Sequence, residues 1–192
     1  MKHLEPKRLI LIGASTGGPM DIKKILQSIP KDFKACIIIA QHMGDQFLAS
    51  FASHMGGETH LHVQLAKHNE TLECDTVYVV SKCTHVEKAR NTLAFKVREN
   101  TKKSFNPNIN ALFTSCANFS NDIDVLACIL TGIGDDGSSG MLCLSKTKAR
   151  CISANKESSA VYGMPMRAQE VSSRVQSLSL DEIIATINTF GE

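Results

Sequence analysis

Three short stretches of this chain carry residue types able to do nucleophilic chemistry together. "GASTGG" sets Ser15 among glycines, "AQHM" sets His42 behind a run of isoleucines, and "GIGDDG" holds Asp135 and Asp136. A serine hydroxyl is a weak nucleophile until a neutral imidazole takes its proton. The imidazole works best when a carboxylate fixes its tautomer. The order Ser, His, Asp differs from that of α/β-hydrolases, and "GASTG" only approximates their G-x-S-x-G elbow. Each piece also has a plainer use. A glycine-rich turn after a strand can cradle a phosphate at a helix N-terminus, a lone histidine can be structural, and paired aspartates serve as turn or cap residues. The phosphate reading is weakened because "GASTGGPM" contains neither a Gly-Lys-Ser/Thr nor a G-x-G-x-x-G pattern, and no lysine.

The elements that must position these residues are legible as apolar runs. "RLILIG", "KACIIIAQH" and "DVLACILTG" are short continuous apolar segments, as expected of strands covered on both faces, and "RCISA" is a fourth. Helical spacing follows each: "MDIKKILQSI" behind Pro19, "DQFLASFASHM" with Asp45 near its start, "GSSGMLCLSKTKA", and a closing "SLDEIIATINTF". "NPNINALFTSCANF" reads as a further helix with Asn106 as its cap. The middle is different. "LHVQLA", "DTVYVV" and "THVEKARNTLAFKV" alternate apolar with polar residues, the last breaking at "ARNT", and predict a half-exposed antiparallel appendage. The whole is an α/β fold, a doubly wound, mostly parallel sheet with helices on both faces and an antiparallel hairpin appendage. One domain over residues 1–192 is expected. In such sheets functional groups gather beyond the carboxyl ends of the strands. Ser15, His42 and the Asp135–Asp136 pair each lie just past one.

Bulk properties narrow the function. The chain has 192 residues, 43% of them apolar and 21% charged, with a formal charge of +2. Its basic residues are scattered, with Lys146, Lys148, Arg150 and the Lys102–Lys103 pair expected in solvent, so nucleic acid and anionic membrane are poor candidate partners. Seven cysteines, an odd number and several within apolar runs, indicate buried reduced thiols and a cytoplasmic protein. No signal peptide or membrane span is visible. His60, His62, His68, Cys74, Cys83 and His85 crowd the middle, but no C-x-x-C or H-x-x-x-H spacing accompanies them. No metal and no cofactor are predicted.

With these residues in view, the chain resembles the catalytic domain of the bacterial chemotaxis protein-glutamate methylesterase. "IGASTGGP", "QHM", "NPNINALF", "ILTGIGDDGSSGM" and "AVYGMP" occur in that family's order and at about its spacing, from Arg8 to Phe190. The resemblance implies hydrolysis of γ-glutamyl methyl esters on the cytoplasmic part of methyl-accepting chemotaxis receptors, with methanol released, and in related members deamidation of receptor glutamines. It implies Ser15 as nucleophile, His42 as general base and then acid, and Asp136 as the residue that orients His42, with Asp135 at the surface. It also implies oxyanion donors among the backbone N–H groups near Ile133, helped by Thr16 and Gly17. The family's usual receiver domain does not precede the Ser15 strand, so a stand-alone esterase without phosphorylation control in cis is expected. Gly44, the "THV" of residues 84–86 and Ala154–Glu157 depart from the family pattern near the site, although His85 matches a histidine common there. Two other classes stand beside this reading: a non-catalytic relative that docks on receptors, and an esterase of a small molecule.

Overall fold

The computed structural model describes residues 6–89, 92–101 and 105–192. Its seven-stranded sheet is parallel throughout, ordered β3-β4-β2-β1-β7-β8-β9. The strands are β1 (Arg8–Ala14), β2 (Cys36–Gln41), β3 (His62–Leu65), β4 (Thr76–Val79), β7 (Asp124–Ile129), β8 (Arg150–Ala154) and β9 (Val175–Leu178). A separate antiparallel pair, β5 (Cys83–Ala89) and β6 (Thr92–Arg98), completes the set. The apolar runs form the sheet's centre because both of their faces are covered. Along β1, Leu9 and Leu11 face one apolar cluster while Ile10 and Ile12 face the other, and all four are inaccessible to solvent. Fully burying such a side chain contributes about 1.5–3 kcal/mol, so the central strands form a stiff platform.

The helices divide between the faces. α1 (Gly18–Gln27), α2 (Asp45–Gly56) and α6 (Leu180–Gly191) cover one side through Ile22, Ile25, Leu48, Phe51, Ile183 and Ile187. α3 (Ile109–Ala117), α4 (Ser138–Ser145) and α5 (Gly163–Glu170) cover the other through Leu112, Phe113, Met141, Leu144 and Met164. α6 opens with a full capping box, Ser179 and Glu182 bonding each other's backbone N–H.

The middle of the chain departs from the predicted appendage. "LHVQLA" and "DTVYVV" supply β3 and β4, which pair in parallel within the main sheet, and β4 is buried along its whole length. Alternating polar residues do not exclude a covered strand: Thr76 is buried, and the Tyr78 hydroxyl donates to the Thr71 carbonyl. Only "THVEKARNTLAFKV" forms the hairpin. It lays Val86, Leu93 and Phe95 onto the α3 side of the core, while Arg90 and Asn91, within the expected break at "ARNT", lie outside the described residues. α5 and β9 were not anticipated. The cap of α3 is Asn108, not Asn106: the Asn108 side chain accepts from the Ala111 N–H at 2.8 Å. Asn106 precedes a cis proline peptide and makes other contacts, given below.

Candidate active site

The order in which strands are added reverses at β1, with β2, β4 and β3 on one side and β7, β8 and β9 on the other. The crevice beyond β1 and β7 is therefore the topological switch point where such sheets hold their ligands. Ser15 follows β1, His42 follows β2, and Asp136 lies on the loop after β7.

Asp136 is the most firmly held of the three. Its carboxylate has no solvent exposure and accepts three backbone N–H groups: Ile109 on Oδ2 at 2.9 Å, with Asn110 at 2.9 Å and Gly137 at 3.0 Å on Oδ1. Ile109 and Asn110 open α3, so the carboxylate also sits at the positive end of a helix dipole. The same Oδ2 lies 2.8 Å from His42 Nε2. With Nε2 on the carboxylate, Nδ1 is the ring nitrogen left to serve a hydroxyl, the reverse of the serine-protease arrangement. Asp135, next door, is exposed.

Ser15 is positioned by its backbone. Its N–H donates to the Thr131 carbonyl at 2.9 Å, and its carbonyl accepts from the Gly18 N–H at 2.9 Å. The His42 N–H donates to the Ala14 carbonyl at 2.8 Å, which sets the two strand ends side by side. Gln41 ties them again: its Nε2 donates to the Ser15 carbonyl at 2.9 Å and the His42 carbonyl at 3.1 Å. Gly132 permits a close approach, since a methyl group there would stand 2.7 Å from Ser15 Cβ and 2.3 Å from Met164 Sδ. Among the described residues the Ser15 hydroxyl makes no hydrogen bond to His42. Thus the structure joins His42 to Asp136 and brings Ser15 alongside through the main chain.

Of the anticipated oxyanion residues, Thr16 and Gly17 follow Ser15 in the chain, and Ile133 follows Gly132, the residue that lies against Ser15 Cβ. Thr16 is exposed, and Gly17 takes φ 87°, a left-handed value that turns the chain into α1. Ile133 is 65% exposed on the loop between β7 and α4. Thr131, fully buried, braces this region: its hydroxyl donates to the Thr16 carbonyl at 2.9 Å and accepts from the Val161 N–H at 2.8 Å. Gln41, Thr131, Gly132 and Met164 were not singled out from sequence, although "QHM", "ILTGIGDDGSSGM" and "AVYGMP" contained them. Phe105 was missed altogether. Its ring stacks on His42, with centroids 5.2 Å apart and planes 6° from parallel.

Several of the cysteines are held as neutral thiols. Burial pushes the thiols of Cys116 and Cys151 up to about 12 and about 11, and raises Cys36 well above its usual value. Cys83 Sγ lies 3.4 Å from His85 Nε2, but burial raises the thiol and lowers the imidazole, which favours the neutral pair. His62 opens β3 and His60 precedes it, and among the described residues no group of three or more His, Cys, Asp or Glu could hold a metal ion. No described helix is long and apolar enough to cross a membrane.

A family model described as CheB methylesterase matches residues 10–187. The chain belongs to the CheB methylesterase family. It is 33% identical over 178 residues to "Protein-glutamate methylesterase/protein-glutamine glutaminase 1" of Pseudomonas fluorescens (strain Pf0-1), covering 92% of this chain and 52% of that protein. With the protein-glutamate methylesterase/protein-glutamine glutaminase of Oceanobacillus iheyensis it shares 33% identity over 186 residues, covering 94% and 53%. The chain thus spans about half the length of the curated relatives it matches. The crystal structure of the Thermotoga maritima CheB methylesterase catalytic domain has the same fold, with a TM-score of 0.88 at 25% identity, covering 97% of this chain and 98% of that one. The likeness therefore lies in the catalytic part of the CheB proteins.

Proposed function

We propose that the chain hydrolyses glutamate γ-methyl esters on the cytoplasmic part of methyl-accepting chemotaxis receptors, and deamidates glutamine by the same route. The observation that carries the reading is the His42–Asp136 contact at 2.8 Å, beside Ser15 at the switch point of a CheB-type sheet. Ser15 Oγ attacks the ester carbonyl as His42 Nδ1 takes its proton, and Asp136 holds the imidazole from the far side. The oxyanion that forms accepts from the N–H groups of Ile133 and of the Thr16–Gly17 turn. His42 returns the proton to the leaving methoxide, methanol departs, and a glutamyl ester remains on Ser15. Water activated by His42 then releases the glutamate and restores the hydroxyl. With glutamine the leaving group is ammonia.

A protein substrate suits the surroundings better than a small ester. Among the described residues, the large apolar side chains most exposed to solvent are Met20, Phe47, Phe105, Ile133 and Met166. Met20, Phe47 and Ile133 lie on the segments that follow β1, β2 and β7, Phe105 stacks on His42, and Met166 lines a hollow with Gly134 and Asp135. An open apolar rim fits a broad partner surface, whereas small molecules are usually enclosed. The test is methanol release from carboxyl-methylated receptor cytoplasmic fragment by the native chain and by Ser15→Ala. Release by the native chain alone supports the assignment. Equal release by both removes Ser15, and release from neither favours a docking relative without activity.

A further inference from the structure

We infer that Phe105 is a positioning residue for His42, and that its flat stack fixes the plane of the imidazole so that Nδ1 stays turned toward Ser15. The inference rests on the proposed role of His42 as the base. One hydrogen bond, Nε2 to Asp136, fixes a point on the ring and leaves its plane free, and the χ2 torsion of histidine is broad. A face laid parallel at 5.2 Å supplies the missing constraint. The contact also covers one side of the ring, which is 13% exposed.

The stack is built to move with His42. Asn106, next to Phe105, bridges the residues that follow the histidine: its carbonyl accepts from the Met43 N–H at 3.1 Å, and its Nδ2 donates to Asp45 Oδ1 at 2.9 Å. Its Oδ1 accepts from the Lys82 N–H at 2.9 Å and from Asn100 Nδ2 at 3.1 Å. Asn106 therefore fastens Phe105 to the backbone that carries the base. The tip of the ring reaches the β7–α4 loop, where a methyl on Gly134 would come within 3.9 Å of Phe105 Cζ. Phe105 is itself 44% exposed, so the core does not need it, and nothing but His42 shares an aromatic contact with it among the described residues.

The experiment compares Phe105→Leu, which keeps apolar bulk without a flat face, with Phe105→Tyr, which keeps the face. The first readout is the rate of Ser15 labelling by a fluorophosphonate, and the second is the nitrogen NMR spectrum of the His42 ring. Native and Tyr chains are expected to label at similar rates, with Leu about 10-fold slower, between the worth of one aromatic pair and the roughly 100-fold cost of a 1 Å misplacement. In turnover of a small soluble methyl ester, which does not span the apolar rim, the loss should fall on kcat and leave KM unchanged. A folded Leu variant with native labelling and an unaltered ring spectrum would overturn the inference. If the native chain does not label, the assignment of Ser15 fails separately. The ring spectrum then still decides: a change confined to Leu supports the stack's role, and identical spectra in all three chains reject it.

Discussion

The corner around Asp136 and the corner around Ser15 lie on the same edge of the same sheet, yet they are built in opposite ways. Every acceptor position that Asp136 offers inward is filled, by three backbone amides and an imidazole, and the side chain is sealed from water. Among the described residues Ser15 is positioned through its main chain, among glycines, and its hydroxyl makes no hydrogen bond to His42. A carboxylate that orients a base does its work by not moving. A nucleophile must leave its rest position to form a bond, and wiring its hydroxyl into a network would oppose that step. The difference predicts that stability and activity separate at one corner and coincide at the other.

Ser15→Ala should sharpen the comparison most. Activity is expected to fall by at least about 10⁴-fold, while denaturant unfolding stays within about 0.5 kcal/mol of native. Asp136→Ala should lose about 10³- to 10⁴-fold in rate and also about 3 kcal/mol or more of stability, because it strands two buried backbone donors and a third that is part-buried. Equal melting temperatures for these two variants would break the contrast. Gln41→Met removes the amide that joins the Ser15 and His42 carbonyls; roughly tenfold in kcat and about 1–2 kcal/mol are expected. Gly17→Ala must hold alanine at φ 87°, with its methyl 2.7 Å from Ala160 Cβ, and should cost about 1–2 kcal/mol. Lys88→Ala is the control far from both corners. Its ion pair with Asp122 is solvent-exposed, so both readouts should stay within about 0.5 kcal/mol of native.

What the sequence disclosed follows the same division. β1, β2 and β7 announced themselves because strands buried on both faces must be apolar at every position, and the residues beyond them followed from topology. β3 and β4 were misplaced because an alternating pattern records which side chains are polar, not whether the partner strand runs parallel. Thr76 and Tyr78 find their partners inside and leave no trace in a hydropathy pattern. α5 is short and of mixed character, and it forms where the Gly132 carbonyl accepts from the Met164 N–H, a contact between distant segments. The same holds at the site. Gln41 and Thr131 act through their amide and hydroxyl on loops far away in sequence. Phe105 lies 63 residues from the histidine it covers, a pairing that no local pattern encodes.

The central position of β1 has a consequence for how the chain is made. Arg8 pairs with Asp124, so one edge of β1 stays open until β7 has been synthesised. At about 5–20 residues per second that delay is roughly 5–25 s. During it the ribosome carries "LILIG" as an apolar strand with an unsatisfied edge, the arrangement that invites association with other nascent chains. A chaperone that shields residues 8–14 while translation proceeds would protect the yield of this protein more than one acting after release.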